Sequence, residues 1–308
     1  MSDAYPRGWG IAALVAAGLL MAGVLVWNVA FPFGNGAAPA GSQASATPRP
    51  VPNPASKRRE RSPTSIEGLI RARRIEPGMA RRLAGRAFLI QRPRERRPPG
   101  DAAAFARTLL PASADGDGTA SYRLYLIASE CETAVSPGVI ESYRLTKDLL
   151  APDYPKVMAR QMQECEGLLM DPVLSNSGRW LDLAAAQGSL EAGVAYSLLI
   201  DRTVSGPEVW LAHPERVIEF KRKALRYLEE GAALGNVSAL LALSQVYTNG
   251  VMAPADPVRA LAYWQVLDQV EPVPSSRFAM RLEEGLSAAQ RNEARRQAAE
   301  IRQWCCSE

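Results

Sequence analysis

The sequence predicts an all-α fold, a short α-solenoid in which helix pairs stack on one another. Tyr227 and Tyr263 lie 36 residues apart, each in the pattern Ala-x-x-Tyr, and a spacing in this range is typical of repeated helix pairs. A weaker upstream copy aligns Trp180 with Tyr227 and Gly188 with Gly235, both at an offset of 47 residues. No segment alternates apolar and polar residues over a useful length, so essentially no sheet is expected.

The N-terminal region is predicted to cross a membrane as a signal anchor over residues 8–33. It contains no charged residue, and Trp9 and Trp27 stand 18 residues apart near its ends. That distance is roughly 27 Å in a helix, close to the ~30 Å hydrocarbon thickness of a bilayer. Tryptophan is enriched at both membrane interfaces, which favours the same interpretation.

The orientation of this segment follows from its flanking charges. Arg7 precedes it and no Lys or Arg follows until Arg49, so residues 1–7 are predicted to be cytoplasmic and the rest to face outward. The Ala- and Arg-rich usage suggests a bacterium, which makes this a single-pass inner-membrane protein with a periplasmic C-terminal domain. The alternative is a cleaved signal peptide ending near Ala38-Pro39-Ala40. Its apolar region exceeds the ~7–15 residues usual for that role, which favours the anchor.

Residues 34–64 are predicted to be a linker rich in Pro, Ala and Ser that does not fold by itself. A basic stem over residues 65–100 follows, predicted to be partly helical or disordered. Lys57–Arg97 carries 14 Lys or Arg against 4 Glu, whereas the chain from Pro98 onward carries 20 basic and 27 acidic residues. The near-neutral total therefore combines a basic stem with an acidic domain.

Three interpretations of the stem remain open. It is a solvated and largely disordered segment, it binds anionic lipid through Lys57–Arg97, or it binds nucleic acid. Nucleic acid is disfavoured, because the predicted topology places the stem outside the cytoplasm and no aromatic residues alternate with the arginines. Within the stem, Ile66 and Leu69 suggest one short helix, and Met79–Leu89 a second.

An α-helical repeat domain is predicted over residues 101–308, with its clearest repeats at 179–200 and 224–264. Asp101, Asp153 and Asp256 precede apolar helical patterns and are suitable N-caps. Asn236 fills that role after Gly235, which can adopt the left-handed conformation that ends a helix. A loop insertion over Ser205–Pro214 accounts for the longer first spacing.

The second repeat resembles a Sel-like repeat, a relative of the tetratricopeptide repeats. The resemblance depends on residues that recur in that family: Ala224, Tyr227, Gly235, Asn236, Ala239, Tyr247, Gly250, Asp256, Ala260 and Tyr263. It implies an α-solenoid that binds proteins or peptides, and it brings no catalytic residues or cofactors. An ordinary helical bundle with Ala-rich contacts is the alternative.

Four cysteines are present, and disulfides are permissible in the predicted oxidising compartment. Cys131 and Cys165 are 34 residues apart on two apolar helix faces, which favours a bridge between neighbouring helices. Cross-links of this kind occur in cysteine-rich Sel-like proteins, although free core thiols are the alternative. Cys305 and Cys306 form a vicinal bridge, pair with other chains or stay free, and the sequence does not choose.

No enzyme, cofactor or metal site is predicted. His213 is the only histidine, no Cys-x-x-Cys occurs, and no Gly-x-Ser-x-Gly or phosphate-binding glycine loop is present. The prediction is therefore a non-catalytic scaffold for a protein or peptide in the cell envelope. The rival functions are a membrane-surface role of the stem and an envelope enzyme with an unrecognised site.

The predicted partner-binding groove is lined by the first helix of each pair. Trp210, in the insertion, is either an exposed anchor for a partner or a packing residue over the first repeat. The exposed first-helix positions are Arg179, Asp182, Arg222, Arg226, Glu230, Arg259 and Gln265.

Overall fold

The computed structural model describes residues 65–92, 97–146, 152–199, 207–272 and 277–307, all within one compact unit, Arg59–Glu308. Helices make up nearly all of the regular structure in these ranges, which confirms the all-α prediction. None of the helices described there is both long and apolar enough to span a bilayer. The membrane helix predicted over 8–33 and the linker over 34–64 lie outside the described residues.

The helices stack in chain order. The helices up to the first repeat are α1 (Ile66–Arg71), α2 (Ala102–Ala114), α3 (Gly118–Ala134), α4 (Pro137–Thr146) and α5 (Tyr154–Leu169). Those that follow are α6 (Ser177–Ala186), α7 (Leu190–Leu198), α8 (Pro207–Ala212), α9 (Pro214–Ala233), α10 (Val237–Asn249), α11 (Pro257–Val270), α12 (Arg277–Glu284) and α13 (Ala288–Cys305). Among the longer helices, α2 packs on α3, α3 on α6, α6 on α7, α7 on α9, α9 on α10, and α10 on α11, as expected for successive helix pairs.

The two repeats aligned at an offset of 47 residues have the same turn between their helices. Gly188 follows α6 with φ +84°, and Gly235 follows α9 with φ +91°. The next residue caps the second helix in each case: Ser189 accepts the Ala192 N–H, and Asn236 accepts the Ser238 N–H. Glycine is favoured at both turns because only it takes this left-handed conformation without steric cost.

The predicted loop insertion over Ser205–Pro214 requires a correction. Pro207–Ala212 forms the short helix α8, and α9 begins at Pro214, ten residues before the predicted repeat. Pro214 occupies the first helical position, where the missing N–H has no intrahelical acceptor in any case. The inserted residues therefore extend the helical layer rather than interrupting it.

The predicted helix over Met79–Leu89 is wrong, and the same stretch is the one exception among the described residues to the prediction of essentially no sheet. β1 (Ala80–Arg82) and β2 (Phe88–Ile90) pair as an antiparallel hairpin, with Arg81 opposite Leu89. The turn contains Gly85 at φ +59°. β2 also contacts the turn after α9, where Phe88 donates its N–H to the Gly235 carbonyl at 2.9 Å. This tertiary pairing overrides the local helical pattern.

The described part of the basic stem, residues 65–92, is folded against the helix pairs, and we call it the strap. It follows the edge formed by the turns between paired helices. Leu190 donates its N–H to the Arg74 carbonyl at 3.2 Å, and Arg86 donates its own to the Cys306 carbonyl at 3.2 Å. Phe88 is fully buried in a small apolar cluster. The interpretation of this stretch as solvated and disordered is therefore wrong.

Part of the positive charge of the strap, and that of the adjoining Arg97, is matched by carboxylates. Five of the described arginines between residues 65 and 97 form ion pairs. Four of these five pair with an acid on α3, α5 or α7, or directly beside an end of α3 or α11. The pairs are Arg73 with Asp117, Arg81 with Glu271, Arg92 with Glu191, Arg97 with both Glu130 and Glu164, and, within the strap, Arg82 with Glu67. The charge imbalance seen in the sequence thus corresponds to an intramolecular interface.

Candidate functional site

The first helices of two neighbouring repeats are linked by a charged pair. Asp182 on α6 lies 3.7 Å from the ammonium of Lys223 on α9, which also lies 3.3 Å from Glu219. Burial lowers the pKa of Lys223, but the two carboxylates outweigh that effect and hold the pKa above its ordinary value. Lys223 therefore stays charged, and the pair forms a fixed polar feature on the outer side of the first helices.

Next to this pair stands a group of aromatic rings. Tyr196 on α7 stacks on Phe220 with centroids 4.7 Å apart and meets Tyr227 edge-on at 5.4 Å. Burial raises the pKa of the Tyr196 hydroxyl, and the Asp182 charge adds to the shift. The hydroxyl is therefore neutral throughout the physiological range and can act as a hydrogen-bond donor.

The next repeat presents the same combination. Tyr247 on α10 and Tyr263 on α11 stack with parallel rings 5.9 Å apart, and the Arg259 guanidinium lies 4.7 Å from the centre of the Tyr247 ring. Burial raises the pKa of Glu229 on α9, while the nearby Arg259 charge opposes that shift. An acid on one first helix thus again faces a cation on the following one.

The acid and the cation of the two combinations are equivalent by the repeat spacing, whereas Tyr196 and Tyr247, 51 positions apart, are not. Asp182 and Glu229 differ by 47 positions, the offset of the first two repeats, and Lys223 and Arg259 differ by 36, the offset of the second and third. Lys223 and Glu229 were missed by the sequence prediction, which chose the adjacent Arg222 and Glu230. We call Asp182, Lys223, Glu229 and Arg259, which these offsets relate, the column. The offsets contained the signal, because adding 47 to Asp182 gives Glu229 and subtracting 36 from Arg259 gives Lys223.

The remaining predicted first-helix residues are exposed but do not all join this column. Arg226 forms an ion pair with Glu230 at 3.8 Å along the same helix. Arg179 lies 5.4 Å from the centre of the Trp180 ring. Arg222 is exposed on α9. The structure therefore brings together Asp182 and Arg259 with unpredicted partners, and it leaves Arg179, Arg222, Arg226 and Glu230 around them.

The insertion contributes little to an open surface. Trp210 is half-buried and packs against the apolar cluster that includes Trp180 and Phe220, and its indole N–H has no hydrogen-bond partner among the described residues. His213 is exposed, with Nδ1 3.2 Å from the Glu215 carboxylate. The contacts of Trp210 are thus those of a packing residue. Within the described ranges, no group of three or more His, Cys, Asp or Glu is arranged to hold a metal ion.

Gln265, the third member of the column by its spacing of 36 residues from Glu229, lines an open depression between α11 and α13. Arg302 donates from Nη1 to the Gln269 side-chain oxygen at 3.1 Å within it. The lining consists of Gln265, Gln269, Arg295, Ala299, Arg302, Gln303 and Ser307.

Both cysteine pairs are bridged. Cys131 on α3 is bonded to Cys165 on α5, which confirms the predicted pairing, and both side chains are fully buried. Cys305 and Cys306 form a vicinal disulfide at the end of α13, the first of the three states that the sequence left open. The described residues therefore contain no free cysteine.

The chain shows weak similarity to solved structures. No family model matches the chain, and no curated protein matches it. A crystal structure of a protective antigen of uropathogenic Escherichia coli strains that displays an SLR fold is similar over 67% of this chain and 57% of its own length. The identity is 14% and the TM-score 0.26. The assignment of an all-α fold of stacked helix pairs accordingly rests on the helices of this chain itself.

Proposed function

We propose that this chain is a non-catalytic scaffold of the Sel-like type that binds a protein or peptide along the outer side of α6, α9 and α11. The observation that carries the proposal is the repeated column: an acid and a cation recur at equivalent positions in successive repeats, each beside a pair of buried tyrosines. A surface with the same charged side chains at each helix pair is suited to an extended peptide, whose backbone and side chains are spaced regularly along it.

The chemistry of the column also favours protein recognition. Arginine is enriched among the residues that dominate protein interfaces, and here Arg259 lies against a buried tyrosine ring rather than being left mobile. Arg259 is exposed, yet the Tyr247 ring beneath it restricts its conformations. Binding to such a preorganised side chain costs less conformational entropy than binding to a free one.

Charge reversal in the column provides the test. We expect the chain from residue 59 onward to capture a specific protein from envelope extract. The double variant Lys223→Glu, Arg259→Glu should capture at least about tenfold less of it, because each interfacial charge contributes on the order of 1 kcal/mol or more. Quantitative mass spectrometry of the captured proteins, at matched bait concentrations, measures the effect.

The matched control reverses two exposed cations elsewhere, Lys156 and Arg160 on α5. This control changes the net charge by the same amount, so a loss caused only by overall charge would appear in both variants. Equal capture by the column variant and the wild type contradicts the proposal. Circular dichroism melting confirms that both variants remain folded.

We further propose that the helical domain lies in the periplasm, tethered by a single inner-membrane helix over residues 8–33. The support is the uncharged N-terminal stretch, the flanking Arg7 and the two disulfides of the described domain, since disulfides persist in oxidising compartments. Alkaline phosphatase fused after Pro50 should be active in intact cells. Activity of a cytoplasm-only reporter at the same position would reverse the orientation.

Binding of anionic lipid by Lys57–Arg97 is the alternative function. The ion pairs of the strap weaken it, because Arg73, Arg81 and Arg92 already face carboxylates of the helical domain. Their charge is therefore partly neutralised before any lipid surface is met. We favour the first-helix column because its acid and cation recur at equivalent positions in successive repeats.

A further inference from the structure

We propose that the depression between α11 and α13 binds a carboxylate of the partner peptide; this deepens the proposed function and rests on it. In the first two steps of the column, the chain supplies its own carboxylate to the cation on the next helix: Asp182 to Lys223 and Glu229 to Arg259. At the third step the equivalent position carries an uncharged amide, Gln265. Two cations are nevertheless present on α13, which packs against α11.

Two arginines of α13 line this third step. Arg302 uses Nη1 for the amide oxygen of Gln269, and Arg295 uses Nη2 for the amide oxygen of Asn292. Neither forms an ion pair with a carboxylate within the part of the chain that the structure describes. An arginine that makes only one amide contact retains several of its five N–H donors, and paired carboxylate recognition by guanidinium groups requires such donors.

The neutral donors complete the site. Gln265, Gln269 and Gln303 supply side-chain amides and Ser307 a hydroxyl, and the lining contains no acidic side chain. A negative ligand therefore meets amide and hydroxyl groups that can donate, two positive charges and no carboxylate among the lining residues. The two upstream steps place an acid near a cation, so a carboxylate from a ligand would supply at the third step the charge that Gln265 lacks.

The depression is open rather than enclosed, which fits one side chain of an extended peptide better than a small metabolite. A metabolite site typically buries most of its ligand. Here a partner chain that crosses α6, α9 and α11 reaches α13 last, so that an acidic residue near one of its ends meets Arg295. The source of the carboxylate is either an Asp or Glu side chain or the chain terminus.

Fluorescence anisotropy with short labelled peptides tests the inference on the folded domain. The probe is an N-terminally labelled octapeptide of alternating Ala and Glu, with a C-terminally amidated peptide of alternating Ala and Gln as its neutral match. We expect measurable binding of the acidic probe at low salt, weakening as salt rises, and at least about tenfold weaker binding of the neutral one. Amidation of the C-terminus distinguishes the two carboxylate sources: a loss assigns the terminus, and no change assigns the side chains.

Variants of the domain locate the binding. Arg295→Gln should weaken binding of the acidic probe about tenfold. Gln265→Glu should weaken binding by a similar factor, because the new carboxylate would pair with the arginines from within the chain, as Asp182 does with Lys223. Arg296→Gln is the matched control, because Arg296 is the neighbouring arginine and already pairs with Glu293. Equal binding by all three variants, or equal binding of both octapeptides, overturns the inference. Capture that depends on Lys223 and Arg259 but not on Arg295 would overturn it while leaving the proposed scaffold function intact.

Discussion

Removal of the disulfide between Cys131 and Cys165 is expected to lower the free energy of unfolding by roughly 3–4 kcal/mol in the chain-entropy description of a loop of this length. The bridge joins residues 34 positions apart and thereby restricts α4, which has no buried residue of its own. Without the bridge, this segment regains its conformational freedom in the unfolded chain at little cost in native contacts.

The native junction of α3 and α5 is expected to survive this removal. Arg97 lies between Glu130 and Glu164, the residues directly before the two cysteines, with Nη2 2.8 Å from the Glu164 carboxylate. Its side chain is almost fully buried, so this ion-paired contact holds the helices independently of the sulfur atoms. The loss should therefore appear in stability rather than in helix content.

Thermal melting of a Cys131→Ala, Cys165→Ala variant checks the prediction, with an expected fall of roughly 10 °C. The control is Cys305→Ala, Cys306→Ala: its bridge joins adjacent residues, closes no loop, and should cost less than half as much. Excess reductant should lower the melting temperature of the wild type towards that of the first variant. A melting temperature equal to that of the wild type would show that the bridge contributes nothing.

The parts of the fold that were predictable depend on local signals. The predicted caps Asp101, Asn236 and Asp256 accept N–H groups from the first turns of their helices, whereas Asp153 makes no such side-chain bond. These interactions span at most three residues, so a sequence pattern contains all of their information. The repeat turns at Gly188 and Gly235 are local in the same way.

The strap was not predictable in this way. Phe88 contacts Gly235, a partner 147 positions away, and strands of three residues are too short to show an alternating pattern. The only sequence signal was the opposition of a basic stem and an acidic domain, which is compatible with lipid binding, disorder or an intramolecular interface. Deciding between them required the positions of carboxylates such as Glu191 and Glu271.

The candidate site lies between these cases. First-helix exposure was predicted from helical periodicity; Arg259 is exposed, whereas Asp182 and Gln265 are half-buried. Which charged residue of α9 completes the column depends on a difference of one position, about 100° around a helix, between Glu229 and Glu230. Periodicity in a helix that is charged over most of its outer side does not resolve that difference, whereas the repeat offset does.

Replacement of Gly235 is expected to disrupt the contact between the strap and the helix pairs. An added Cβ would lie 2.7 Å from the Arg86 carbonyl oxygen and 3.2 Å from that of Cys305, both of them backbone atoms that cannot rotate away. The residue also has φ +91°, which disfavours any side chain. The conformational cost of about 1–2 kcal/mol and an overpacking cost of about 1–3 kcal/mol together predict a loss of roughly 2–5 kcal/mol for Gly235→Ala.

Gly116 provides the matched control for this substitution. It has φ +86° in the turn between α2 and α3, and an added Cβ there would meet nothing within 4 Å. Gly116→Ala therefore carries the conformational cost alone, and the difference between the two variants measures the contact with the strap. Chemical denaturation gives both free energies of unfolding, and limited proteolysis should show cleavage within the strap only in the Gly235 variant. If both variants lost the same free energy of unfolding, the strap would not restrict the turn at Gly235, and the Arg86 carbonyl would move aside at no cost.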